Sequence, residues 1–364
     1  MNHSIVSSAY SGFLYSPFCW FVTPPTEADW KSSNNNAIFK TVYETTMPCG
    51  IRVKIRRDGF ILFDFNNWRP ASYVIIPGYE SIPNKVVPAK VIQQELLAEN
   101  RAQRRSEVIN AFLLTLNSTY TRNGRFGLPL AEPVLAKNIV TTWTFSGLSY
   151  NPFEYGSDSS QIYAKYVIDS LNARNKAPTL NATTIDFQAL KNSLSILNEI
   201  ILYSDIDMIS LTNLLYWSNN RYRENLYPES LILSWSICES LVNAAWYQLL
   251  IRIKNSSANN PRMSTKRITQ LQGTGFNSFA KIEILELNGV IPHELYELLS
   301  SVRKARNKWL HRLHPVSPEE AERGLRAAEY LVAHITGLQI NPNVCRTAPG
   351  TGGCPEKFYE FPAS

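Results

Sequence analysis

The chain has 364 residues, 44% of them hydrophobic, and a formal net charge of +6 with an isoelectric point near 8.9. Two domains are the natural division of such a length, and the hydrophobic share supports a folded globular chain. Five cysteines, an odd number without framework spacing, argue against a disulfide scaffold and for a reducing, cytoplasmic compartment.

An aromatic, apolar stretch from Phe13 to Val22 comes first. The first Lys or Arg is Lys31, so the basic start of a signal peptide is missing. The stretch reads as a strand or a docked arm. Thr41 to Thr46 has strand composition. Ile51, Val53 and Ile55 then alternate with Arg52, Lys54 and Arg56. Asp58-Gly59 follows, with Phe60, Leu62 and Phe63 beyond it, which predicts a hairpin. Its basic face suits either plain solvation or RNA. Ser72 to Ile76 is a further strand candidate.

Pro88 to Asn117 predicts a helix, with Arg101, Arg104 and Arg105 in its middle and Ile109, Phe112, Leu113 and Leu116 towards its end. Arg122 to Gly127 reads as a loop, Val140 to Phe145 as a short strand, and Ser157 to Asn172 as a polar helix. The polar stretch from Asn175 to Thr184 holds a proline and marks a domain boundary. The expected division is a mixed β/α region over 1–184, a helical region over 185–340 and an irregular tail over 341–364. Cys345 and Cys354 lie in that Gly/Pro-rich tail, where two cysteines alone are thin grounds for a metal site. No internal repeat stands out.

The second half is helical. Leu211 to Arg223 is one helix, with Leu215, Tyr216 and Trp217. Ser230 to Ile251 is another, and Glu239 is its sole charged residue. The apolar length suggests a membrane span, but Ser234, Ser236, Ser240, Asn243 and Gln248 fit a buried core helix better. Ser278 to Leu287 is short and amphipathic. His293 to about His314 follows helical spacing through Leu295, Leu298, Leu299, Val302, Trp309 and Leu313. His314-Pro315 breaks it. Ser317 as N-cap, Pro318 at the first position and Glu320 closing a capping box start a last helix, running to about Thr336.

Chemistry concentrates on the helix from His293. Asn307, His311 and His314, at i, i+4 and i+7, share a face opposite the apolar sector. Arg306 falls inside or at the edge of that sector, where a guanidinium wants an acid or a phosphate. Arg303, Lys304, Lys308 and Arg312 add charge, and no acidic residue stands between Leu298 and Pro318. Such a helix attracts a polyanion. Glu239 is the natural partner for Arg306, and a buried ion pair without further role is the plainer version of the same contact. His314 either assists His311 or caps the helix end, with the cap favoured. His3, His293 and His334 have no supporting context. The sequence offers no Gly-rich phosphate loop, no nucleophile elbow and no metal-ligand cluster.

Arg306-Asn307-Lys308-Trp309-Leu310-His311 resembles the RNxxxH motif of HEPN ribonucleases, and the helix order over about 190–338 is similar to a HEPN domain. The resemblance covers well under half of the chain. It implies an α+β protein, with a β-rich N-terminal domain followed by an all-α HEPN helical bundle. It also implies metal-independent cleavage of RNA with no cofactor. Arg306, Asn307 and His311 would be the catalytic residues: His311 the general acid or base, Arg306 the phosphate holder, and Asn307 the orienter of phosphate or histidine. Glu239 and His314 would support them, while Arg303, Lys304, Lys308 and Arg312 bind RNA. One motif per chain implies a homodimer with a composite site. The layout is similar to toxin and antiphage abortive-infection effectors. It implies control through the N-terminal half by a phage-derived or antitoxin regulator, and no membrane partner.

Overall fold

The structure is a computed structural model. It describes residues 10–14, 20–23, 26, 40–68, 89–122, 133–134, 184–256, 264–273 and 276–340. The protein is mixed α+β and mostly helical. The strands are β1 (Tyr10–Leu14), β2 (Trp20–Phe21), β3 (Thr41–Thr46), β4 (Arg52–Arg56), β5 (Phe60–Asp64) and β6 (Thr184–Ile185). The helices are α1 (Ala89–Arg122), α2 (Phe187–Leu202), α3 (Met208–Arg223), α4 (Tyr227–Ser256), α5 (Thr265–Gln272), α6 (Ser278–Leu287), α7 (His293–Arg312) and α8 (Pro318–Thr336). Among the described residues no helix is long and apolar enough to cross a membrane.

The chain forms two compact units: residues 1–120 with 131–213, and residues 121–130 with 214–364. The division falls inside α3, not at 184/185. The reason is that α2 belongs with the sheet. Its Asn198 Oδ1 accepts a hydrogen bond from Cys49 N at 3.0 Å, and Phe187 meets Tyr43 edge-on at 5.2 Å.

In the first unit, four antiparallel strands run in the order β1-β5-β4-β3. The Asp58-Gly59 turn joins β4 to β5, and Gly59 takes φ 88°, which a side chain would resist. Val53 and Ile55 are buried while Arg52 is exposed, so the alternation of β4 sets its inner face. The inner strand β5 buries Phe60, Ile61, Leu62 and Phe63, on both faces. Gly12 on β1 makes room for this: a Cβ there would stand 2.6 Å from the Phe60 ring. From Val108 to Tyr120, α1 is buried on every side, and Phe112 packs edge-on against Phe63 at 5.5 Å. The short β2 pairs in parallel with β6. The stretch from Phe13 to Val22 thus contributes to β1 and β2.

In the second unit α4 is the central helix, packed by α5, α6, α7 and α8. Its buried face runs through Leu231, Trp235, Cys238, Leu241, Val242, Ala245, Trp246 and Leu249. Three buried serines tie its start to α3. Ser218 Oγ lies 2.7 Å from Ser234 Oγ and donates to Ser230 O at 2.8 Å. Gly324 on α8 lets the backbones approach here, since a Cβ would meet Leu231 Cδ1 at 3.1 Å and Ser234 Cβ at 3.3 Å. The capping box at Ser317 and Glu320 is formed in both directions.

The strand candidates at 72–76 and 140–145, the loop at 122–127 beyond Arg122, the polar helix at 157–172, and Cys345 and Cys354 in the tail lie outside the described residues.

Candidate functional site

The site candidate is the C-terminal half of α7. Leu295, Leu299, Val302 and Ala305 are the buried edge of this helix, and they lie on the side packed by α4 and α8. At about 100° per residue, Ser300, Arg303, Lys304, Asn307 and His311 fall on another sector. Arg306 flanks both. It is half-buried, as is Asn307, while Lys304, Lys308, His311 and Arg312 are exposed.

Arg306 donates from Nη1 to Asn307 Oδ1 at 3.0 Å. Its Nε is buried with no hydrogen-bond partner among the described residues. Arg303 Nε, one turn earlier, is in the same condition. An unsatisfied buried donor costs about 1–3 kcal/mol. Arg303 rests instead on an aromatic ring, its guanidinium carbon 4.5 Å from the Phe279 centroid. Among the described residues, none of Arg303, Lys304, Arg306, Lys308 and Arg312 forms an ion pair. Five cations with no acid between them make the C-terminal half of the helix strongly positive, although rotation spreads them around it.

Two expectations require correction. Glu239 does not pair with Arg306: its carboxylate accepts a hydrogen bond from Ser278 Oγ, at the start of α6. The α4 helix turns Glu239 towards the α6 N-terminus, and it is half-buried there rather than enclosed. His314 does not cap α7. It is exposed and makes no hydrogen bond among the described residues. The helix closes through Leu313, which takes φ 50° and donates its N–H to Trp309 O at 2.8 Å. Leu313 itself is 78% exposed, outside the apolar sector assigned to it.

The α6–α7 hairpin positions the rest. Going along α7, His293 meets Glu286 at 3.1 Å, the Tyr296 hydroxyl donates to Glu283 at 2.7 Å, and Arg303 meets Phe279. The two helices run antiparallel, and α6 begins opposite Arg303. Asn307 and His311 lie past that end, about 6 and 12 Å further along α7 at a rise of about 1.5 Å per residue.

His293 turns out to have a context. The hydrogen bond that His293 donates to the Glu286 carboxylate raises its pKa above the ordinary histidine value, and the charges of Glu297, Glu286 and Glu294 add to this. Glu297, at i+4, is a neighbour within α7, but Glu286, at i−7, becomes a partner only once the hairpin forms. His334 also finds a partner, with Nε2 at 2.7 Å from Val290 O.

The basic face of β4 is largely neutralised. Arg52 and Lys54 both pair with Glu44 across the strands, and Arg56 pairs with Asp58. Arg104 on α1 is likewise engaged, by Glu107 and Asp207. Among the described residues no group of three or more His, Cys, Asp or Glu side chains is placed to hold a metal ion.

Comparison of the chain with known protein families, with curated proteins and with solved structures finds no match in any of the three.

Proposed function

We propose that this chain is an endoribonuclease of the HEPN type that cleaves RNA without a metal ion, and that the helices of its second unit, over residues 214–340, act as the nuclease bundle. The observation that carries the reading is the end of α7. There Arg306 offers a buried donor with no partner among the described residues, beside Asn307 and an exposed His311, on a helix end whose five cations form no ion pair among the described residues.

The chemistry follows from these groups. A histidine takes the proton from the ribose 2′-OH. The 2′-oxygen attacks the adjacent phosphorus, and negative charge grows on the non-bridging oxygens, where the Arg306 guanidinium stabilises it. The bond from phosphorus to the 5′-oxygen breaks, and a protonated histidine supplies the proton to that oxygen. The products are a 2′,3′-cyclic phosphate and a 5′-OH. Asn307 holds the guanidinium through its amide oxygen, so in this reading it orients the arginine as well as the phosphate. DNA lacks the 2′-OH and is not a substrate.

Base and acid must act on opposite sides of the phosphorus. One His311 per chain therefore calls for two chains, with α7 helices meeting across a two-fold axis. Mixing chains carrying Arg306→Ala with chains carrying His311→Ala tests this: the composite site predicts that the mixture cleaves RNA better than either variant alone. A strictly monomeric protein that cleaves RNA refutes it. The N-terminal half is the regulatory part in this proposal, in a cytoplasmic toxin or antiphage effector.

A further inference from the structure

Phe279, on the first turn of α6, is a large apolar side chain set against Arg303, one helical turn before the candidate phosphate site. It is 42% exposed, although burying it would be favourable. The start of α6 that carries it is fixed by two hydrogen bonds. Asn277 caps the first turn of α6, its Oδ1 accepting from Ala280 N at 3.0 Å, and Ser278 donates to Glu239 on α4. The Arg303 guanidinium lies over the ring at 4.5 Å, with its Nε buried and unpartnered. An arginine that served only the fold would more often be held by a carboxylate. Here an aromatic ring holds it, one helical turn from Arg306 and Asn307.

We propose that Phe279 and Arg303 form a stacking subsite for an unpaired nucleobase next to the phosphate held by Arg306. The proposal rests on the reading of Arg306, Asn307 and His311 as the phosphate site. An exposed aromatic ring and an arginine plane are the two surfaces on which proteins stack single-stranded bases. A base on this platform leaves its phosphate within reach of the next turn of α7, about 6 Å further along the helix axis. Every base has a π-face, so the subsite selects single-stranded over paired RNA without choosing a sequence. Glu239 then has a part in the site other than the one expected of it. Through Ser278 it fixes the α6 end that carries Phe279, which makes it a positioning residue.

The test uses the full chain with His311→Ala, which should bind RNA without cutting it. Anisotropy of a labelled single-stranded RNA is compared with that of an oligomer of the same length in which the central nucleotides are abasic. Phe279→Ala should weaken binding of the intact RNA about tenfold or more, in the range expected for one stacked base. It should leave the abasic oligomer unchanged. Phe279→Trp, which keeps a stacking face, should restore the intact-RNA affinity. Equal weakening on both oligomers, or no weakening on either, overturns the proposal, as does failure of the parent to bind RNA. Cleavage by the His311 chain in EDTA is read separately. Without cleavage but with a base-dependent effect of Phe279→Ala, the catalytic reading fails and the subsite stands. With cleavage but no such effect, the subsite alone fails.

Discussion

Replacing Arg306 by methionine separates what the arginine costs the fold from what it gives the site. Among the described residues its Nε is buried with no hydrogen-bond partner, and its guanidinium donates to the neighbouring Asn307 at 3.0 Å. No carboxylate pairs with it among the described residues. Removing the unsatisfied donor recovers about 1–3 kcal/mol, and losing the bond to Asn307 costs about 0.5–1.5 kcal/mol. Methionine keeps an unbranched stem against the apolar edge formed by Val302 and Ala305. The balance is a protein that is unchanged or up to about 2 kcal/mol more stable. For a domain of about 150–250 residues that is a rise in melting temperature of about 2–4 °C per kcal/mol. Cleavage should fall by about 10²-fold or more, as when a donor to a developing oxyanion is lost. Thermal melting and an RNA cleavage assay on one preparation read both. Destabilisation by more than about 2 kcal/mol would refute the reasoning, because it would make Arg306 a structural partner of some group.

Asp207→Asn tests the clamp between α1 and α3. Asp207 Oδ1 caps α3 by accepting from Ser210 N at 3.3 Å, a role the amide keeps, and it pairs with Arg104 at 2.6 Å, a pair the amide weakens. Burial works to raise the Asp207 pKa, but the hydrogen bond and charge of Arg104 win and hold it below 3.8. The carboxylate therefore contributes stability above pH 3.8, and that contribution is lost as the pH falls through its folded value. At neutral pH the variant should lose up to about 1 kcal/mol, since Asp207 is half-exposed. Urea melts at falling pH should show the two proteins converging below about pH 4, and a gap that widens instead would contradict the sign. Gly324→Val should destabilise by about 1–3 kcal/mol through overpacking against Leu231 and Ser234. An unchanged urea midpoint would show that α8 can shift off α4.

Local signals carried most of the second half. The α6 helix spans the residues its pattern marks, Ser278–Leu287, and Ser317 with Glu320 fixes the start of α8 because a capping box needs only neighbours. The β4–β5 hairpin was legible for the same reason, through Asp58-Gly59. The pairing of β2 with β6 was not. It joins two two-residue strands more than 160 positions apart, and no periodicity spans that. The α5 helix was missed because it buries only Ile268, leaving no apolar stripe to read.

At the site, the sequence placed Asn307 and His311 on one face and Arg306 inside or at the edge of the opposite, apolar sector, which helical rotation alone decides. The partner of Glu239 depended on how α4 is turned, and rotation about a buried helix cannot be read from its lone charge. The Ser278 hydroxyl, near it in space and 39 positions away in sequence, took that place. Phe279 gave no warning in the sequence, because its exposure appears only once α6 is laid against α7.

The most direct measurement of the central claim is the chemistry of the RNA ends left by the purified full chain in EDTA. The account predicts cleavage of single-stranded RNA to 2′,3′-cyclic phosphate and 5′-OH ends, no cleavage of the DNA of the same sequence, and loss of both products in a folded His311→Ala protein. Ends bearing a 5′-phosphate, cleavage that EDTA abolishes, or full activity in that variant would contradict it.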